Sequence, residues 1–148
     1  MARNSLSDFV KTLLAAIIAL TVFVSSAVAD AVHTPAAGSP ERTAIIASLH
    51  AVYTTGAGPN VKFLVHHFKV HQGWAWIAVV PLDKTGSPEG DEWPSLLHLE
   101  NGRWTIIDMV ALTPADDPVG PNGPSAKFLR ALQKKFPALP SDILPAAQ

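Results

Sequence analysis

The spacing of apolar residues divides the chain into segments with different periods. From Leu13 to Val24 apolar side chains follow one another, with Thr21 as the single polar interruption. From Ser39 the spacing becomes helical: Ile45, Ile46, Leu49, Val52 and Tyr53 form one apolar stripe of an amphipathic helix. Ser39 is placed to cap it, Pro40 occupies its first position and Glu41 lies in its electropositive first turn. Gly56 and Gly58 are expected to stop it.

Period-two alternation follows. In NVKFLVHHFKV, Val61, Phe63 and Val65 share one parity, whereas Phe68 and Val70 have the other. A strand keeps one buried face across such a switch only by inserting an extra residue, so a β-bulge is expected at His66-His67, with Leu64 packing at an edge. Gln72-Gly73 is a two-residue turn signal. The next strand, WAWIAVV, has Trp74, Trp76 and Ala78 on one face and Ala75, Ile77 and Val79 on the other, with Pro81 as its end. A polar loop, LDKTGSPEGDEWP, leads to the third strand, SLLHLE. Asn101-Gly102 then turns the chain into a fourth strand, RWTIIDMVAL, placing Glu100 opposite Arg103. After the loop TPADDPVGPNGP, where Asp116-Asp117-Pro118 reads as a turn, SAKFLRALQKKF predicts a second helix. Phe128, Leu129 and Leu132 form its apolar side, Lys127, Arg130, Lys134 and Lys135 its basic side. Pro137 ends it, and Leu139, Ile143 and Leu144 are apolar anchors in the tail. The expected fold class is α+β: an amphipathic helix on a curved four-stranded antiparallel sheet built of two hairpins, plus a C-terminal helix, with both helices on one face of the sheet.

The first apolar run changes this picture. It is about 12 residues long, short of the ~18–20 that span a bilayer. Arg3 and Lys11 precede it and Ala27-Val28-Ala29 follows it, which is the order of a cleavable export signal. The expected organisation is a signal peptide at 1–29, a flexible entry at 30–38 and a single domain at 39–148, with cleavage between Ala29 and Asp30. The product is then a periplasmic or secreted protein that is not inserted in the membrane. The segment from Asp30 carries nine basic and eleven acidic residues, a balance that offers no field for nucleic acid. The chain has no cysteine, which excludes disulfides, thiolate metal sites, thiol nucleophiles and lipid attachment to an N-terminal cysteine.

From Ser39 onward the sequence resembles a group of small exported bacterial proteins of unknown function. The shared motifs are the SPER start (Ser39, Pro40, Glu41, Arg42), a hairpin marked by Val61, Phe63, Val65, Phe68, Val70, Gly73, Trp74 and Trp76, and a second hairpin marked by Leu99, Asn101, Gly102, Arg103 and Trp104. The likeness covers about two thirds of the domain and consists of turns and core positions. More distantly the order of elements is similar to the cystatin-like and NTF2-like folds. Such folds host enzymes, binding modules and inhibitors alike, so the resemblance implies a fold and no activity.

Candidate chemistry centres on the histidines. Adjacent His66 and His67 point to opposite faces of a regular strand and share an ion only if the bulge tilts both outward. His67 and His71 lie on one face but about 13 Å apart, too far for joint ligation. No metal and no cofactor are therefore expected, with His66 and His67 the pair to consider as ligands. Asp108 stands among apolar neighbours; with His98 or His67 it would make an acid–base pair. Trp74, Trp76 and Trp104, with Trp93, offer either a ligand-stacking surface or core and cross-strand contacts. No nucleophile–base, metal or phosphate-loop spacing accompanies these residues. The sequence thus predicts a non-catalytic binding or accessory module of the cell envelope whose partner is an envelope protein or a small ligand. The alternatives are a small acid–base enzyme using Asp108 and a weak histidine-based metal binder.

Overall fold

A computed structural model describes residues 31–57, 61–112 and 123–148. The expected export signal, the Asp116-Asp117 turn and Gly58 lie outside the described residues. Helix α1 spans Pro40–Ala57, and strands β1 Lys62–His71, β2 Trp74–Leu82, β3 Trp93–Glu100 and β4 Arg103–Ile106 follow. A 3-10 turn covers Val110–Leu112, α2 spans Ala126–Lys135, and a last 3-10 turn covers Ser141–Ile143. The strands form one antiparallel sheet in the order β1-β2-β3-β4. This is the α+β arrangement of two hairpins and two helices.

The helices lie on opposite faces, which corrects the expectation of a single covered face. Ala75, Ile77 and Val79 of β2 pack with Phe68, Val70, Leu97, Trp104 and the α1 residues Ile45 and Leu49. Trp74 and Trp76, of the other parity, pack with Leu96, with Phe128, Leu129 and Leu132 of α2, and with Leu139 and Ile143 of the tail. A strand covered on both faces has no polar alternation, which explains WAWIAVV. Every β2 residue except Leu82 is buried.

Both hairpin turns have the backbone that their sequences require. Gln72 and Gly73 have φ of 48° and 76°, Asn101 and Gly102 of 51° and 76°. Two successive positive φ values define a type I′ turn, whose twist matches that of the strands. The turns set the pairs His71 with Trp74 and Glu100 with Arg103.

The register of β1 on β2 shifts between Val65 and His67, so the bulge falls where the parity switch predicted it. Val65 faces Val79, His67 faces Ala78, and His66 is the inserted residue. Phe63 and Val65 before the bulge, and Phe68 and Val70 after it, all pack against the α1-side core. Leu64 is exposed.

Several boundaries differ from expectation. α1 continues through Gly56 to Ala57, and Val52 points to solvent while Ile45 and Leu49 are fully buried. β2 runs through Pro81 to Leu82. Pro81 is opposite Phe63 but lies beyond Val79, the last β2 residue paired with β3, so its missing N–H removes no bond between those strands. β3 starts two residues early, at Trp93. β4 ends at Ile106, six residues short of the expected strand, because the chain crosses layers there. Ile106 packs on the α1 side, whereas Ile107, Met109 and Leu112 pack on the α2 side.

The entry segment is also tied down. His33 exchanges both backbone bonds with Val70, at 2.9 and 2.8 Å, and the Thr34 hydroxyl donates to the Phe68 carbonyl at 2.9 Å. Pro35 is buried, and its carbonyl accepts from the Arg42 guanidinium. Residues 33–34 thus extend the sheet along the outer edge of β1 in place of the expected flexible lead-in.

His33 locks this segment to α1. Its Nε2 donates to Glu41 at 2.8 Å and its Nδ1 to the Ala31 carbonyl at 3.2 Å. Donation from both nitrogens is possible only for the imidazolium. The pKa is accordingly raised above 6.5, chiefly by the hydrogen bond to Glu41 and against the opposing effect of desolvation. A His pKa that is higher folded than unfolded adds stability below the unfolded pKa and loses it as pH rises through the folded pKa. His33→Ala is therefore expected to destabilise the protein more near about pH 5.5 than near about pH 8. Urea unfolding at the two pH values checks this, with a modest difference expected because the side chain is 35% exposed and the pair is screened. An equal loss at both would show that the imidazolium is not the stabilising form.

Candidate functional site

The bulge leaves a cleft of about 380 Å³ on the outer side of β1, lined by Thr34, Arg42, Val65, His66, His67, Phe68 and Lys69. Its walls come from three stretches distant in sequence: the entry segment, the first turn of α1 and the bulged strand. Ser39 caps α1 by accepting from the Arg42 amide at 3.2 Å, which fixes where the Arg42 side chain leaves the helix. The guanidinium lies over the Phe68 ring, 5.1 Å from its centroid, and donates to Pro35. It is held in place by an aromatic face and a carbonyl, and neither neutralises its charge.

Among the described residues, no carboxylate lies within ion-pair distance of Arg42 or Lys69; the four ion pairs found there all use histidines. His66 donates to Glu92 at 2.6 Å, and that carboxylate is the acidic group nearest the bulge in the bonding network. The cleft therefore holds two cations without carboxylate partners, an apolar floor from Val65 and Phe68, and the Thr34 hydroxyl. An anionic group is the complementary ligand.

His66 and His67 do not converge. His66 turns to Glu92, whereas His67 donates from Nε2 to the Ile143 carbonyl at 2.9 Å. His71 reaches the same C-terminal turn through Asp142, also at 2.9 Å. Two histidines of one strand face thus hold the 141–143 turn against β1. Among the described residues no group of three or more His, Cys, Asp or Glu is placed to hold a metal ion.

Asp108 is exposed, just beyond β4, and its carboxylate accepts from the Val110 amide at 2.9 Å, opening the 3-10 turn. His98 stacks on Trp74, with centroids 4.1 Å apart, and donates to Glu100 at 3.2 Å. The structure therefore gives Asp108, His98 and His67 separate partners. Trp74, Trp76 and Trp104 are 6%, 1% and 6% exposed and belong to two buried clusters, so of the two alternatives the structure has the core contacts and not a ligand-stacking surface at these three residues. Trp93 is half-buried against Tyr53, at 4.5 Å between ring centroids, and the Tyr53 hydroxyl bonds Ser95, the buried polar residue of β3, at 2.8 Å. The basic side of α2 is exposed at Lys127, Arg130, Lys134 and Lys135.

Sequence reasoning found the bulge but missed Arg42, Lys69 and Thr34 as its companions. The parity switch was a local signal; the approach of Arg42 to Phe68 joins positions on separate elements and leaves none. Comparison with protein-family models, with curated proteins and with solved structures gives no match. No helix among the described residues is long and apolar enough to cross a membrane.

Proposed function

We propose that this protein is a non-catalytic binding module of the cell envelope, exported by its N-terminal segment, and that it binds through the cleft at the β1 bulge. The observation that carries the reading is the two cationic residues that line it: Arg42 is positioned over Phe68, Lys69 lines the same cleft, and neither is neutralised by a carboxylate among the described residues. Charges held ready but uncompensated in a concave site favour an oppositely charged partner. The acid–base alternative loses support from the exposed position of Asp108 and its bond to Val110. In fold the reading keeps the likeness to cystatin-like and NTF2-like proteins as a proposal.

The test uses tagged protein recovered from the periplasm or medium of a bacterial host, where its N-terminus is expected to be Asp30. Immobilised, it is expected to retain an envelope component that the double variant Arg42→Glu/Lys69→Glu, shown to be folded by its cooperative thermal melt, releases. Intact Met1 in the purified protein would refute export. Identical retention by both proteins, or none by either, would refute the cleft as the binding surface.

A further inference from the structure

Both edges of the sheet carry caps, and the caps stop short on β1. At β4 the Ser48 hydroxyl of α1 donates to the Trp104 carbonyl at 2.8 Å. At β1 the entry segment bonds Val70 and Phe68. On one strand, residues whose side chains share a face also turn their N–H and C=O to the same edge. Val70 and Phe68 turn theirs outward, toward the entry segment, and their side chains lie on the α1 side. Phe63 and Val65 have side chains on that same face, so their backbone groups also point outward. The pairing with β2 agrees: Pro81, which has no N–H, stands opposite Phe63. Among the described residues no backbone bond reaches these outward groups of Phe63 and Val65.

We propose that an extended acidic peptide adds as a further strand at this part of the β1 edge, with a carboxylate side chain seated against Arg42 in the cleft that Lys69 also lines. This rests on the cleft being the binding surface and names its ligand class. Main-chain bonds to Phe63 and Val65 supply the pairing, and the two cations select the sequence. The same features disfavour a second copy of this chain. Lys62 is exposed on the edge and Lys69 borders the cleft, so two such edges would bring like charges together. The bulge also blocks a regular ladder through His66, which limits the added strand to a short one.

The probe is a capped peptide of about eight residues, alternating Thr and Val with two Glu at successive same-face positions. It is compared with its Gln counterpart and with a version N-methylated at alternate residues. Binding is followed by amide chemical shifts of the purified protein. The Glu peptide is expected to bind, to shift and protect the Phe63 and Val65 amides, and to weaken as salt rises. Replacing Glu by Gln, or the protein's Arg42 by Gln, is expected to weaken binding about tenfold, the loss of one charge-assisted contact of about 1.4 kcal/mol. N-methylation on the pairing edge is expected to abolish the Phe63 and Val65 protection.

Equal binding of the Glu and Gln peptides would overturn the proposal. So would binding that N-methylation leaves intact, which would make the cleft a site for the carboxylate alone. Protein dimerisation through Phe63 and Val65 would assign the edge to a second copy. If no peptide binds while the Arg42→Glu/Lys69→Glu variant still releases its envelope component, the peptide assignment fails and the cleft as binding surface stands.

Discussion

Trp76→Ala is expected to destabilise the protein by about 3–5 kcal/mol, and Ile77→Ala by about 2–5 kcal/mol, although the two residues are neighbours. Trp76 is 1% exposed and Ile77 0%, and they belong to different cores. Trp76 fills the layer under Phe128, Leu132 and Ile143; Ile77 fills the layer under Ile45 and Leu49. Each truncation leaves a cavity that the other face has no means to fill, because the backbone of β2 lies between them. A domain of ordinary stability holds about 5–15 kcal/mol in total. Either variant therefore loses a large share of it, and chemical denaturation of purified protein measures the loss. The paired outcome is the informative one. If one substitution were nearly silent, the face it belongs to would not be a packed core, and the three-layer arrangement would be wrong on that side.

The second large effect comes from deletions in β1. Removing His66 is expected to be tolerated, whereas removing Lys69 is expected to cost about 2–5 kcal/mol. His66 is the inserted residue of the bulge, so without it Val65 and Phe68 remain on the α1 side with His67 between them, in a regular alternation. The contact forfeited is the His66–Glu92 pair, of which the histidine is 48% exposed; such surface pairs contribute about 0–1 kcal/mol. Lys69 lies outside the bulge, between Phe68 and Val70, which are 4% and 2% exposed. Its removal makes them adjacent, and adjacent strand residues face opposite ways. One of the two must then leave the core. Thermal melts of both deletions beside the parent check this. A His66 deletion as damaging as the Lys69 deletion would show that the bulge has a structural role beyond correcting parity.

Local rules made much of the fold readable. The switch of parity between Val65 and Phe68 announced the bulge, Gln72-Gly73 and Asn101-Gly102 announced their turns, and Ser39-Pro40-Glu41 announced the start of α1. Each signal is confined to a few residues whose backbone chemistry has few solutions. What escaped depends on layers. WAWIAVV showed apolar residues on both parities, but nothing in one strand says which helix covers which face. RWTIIDMVAL looks like one strand because a strand that changes core at Ile106 and a strand buried on both sides have the same apolar spelling. Val52 sits one residue before Tyr53 and fits a helical stripe, yet the row of Ile45, Leu49 and Tyr53 at intervals of four sets the buried line. The site was legible only in its bulge. Arg42 is a helix-start residue by its local sequence, and its meeting with Phe68 is decided by how α1 and the entry segment pass the edge of β1.

The two histidine bonds from β1 to the C-terminal turn have a temporal meaning. His67 and His71 meet Ile143 and Asp142 across 76 and 71 residues of chain. Closing loops of that length is slow and carries an entropic penalty that must be met before any contact rewards it. In chain order, the residues of β1 and β2 precede residues 141–143 by about sixty positions. Until that segment docks, Trp74 and Trp76 lack the Leu139 and Ile143 side chains that pack with them in the folded protein. The face formed by Trp74 and Trp76 is therefore completed late, and the 139–143 segment is expected to influence how the native state is reached as well as how it is kept.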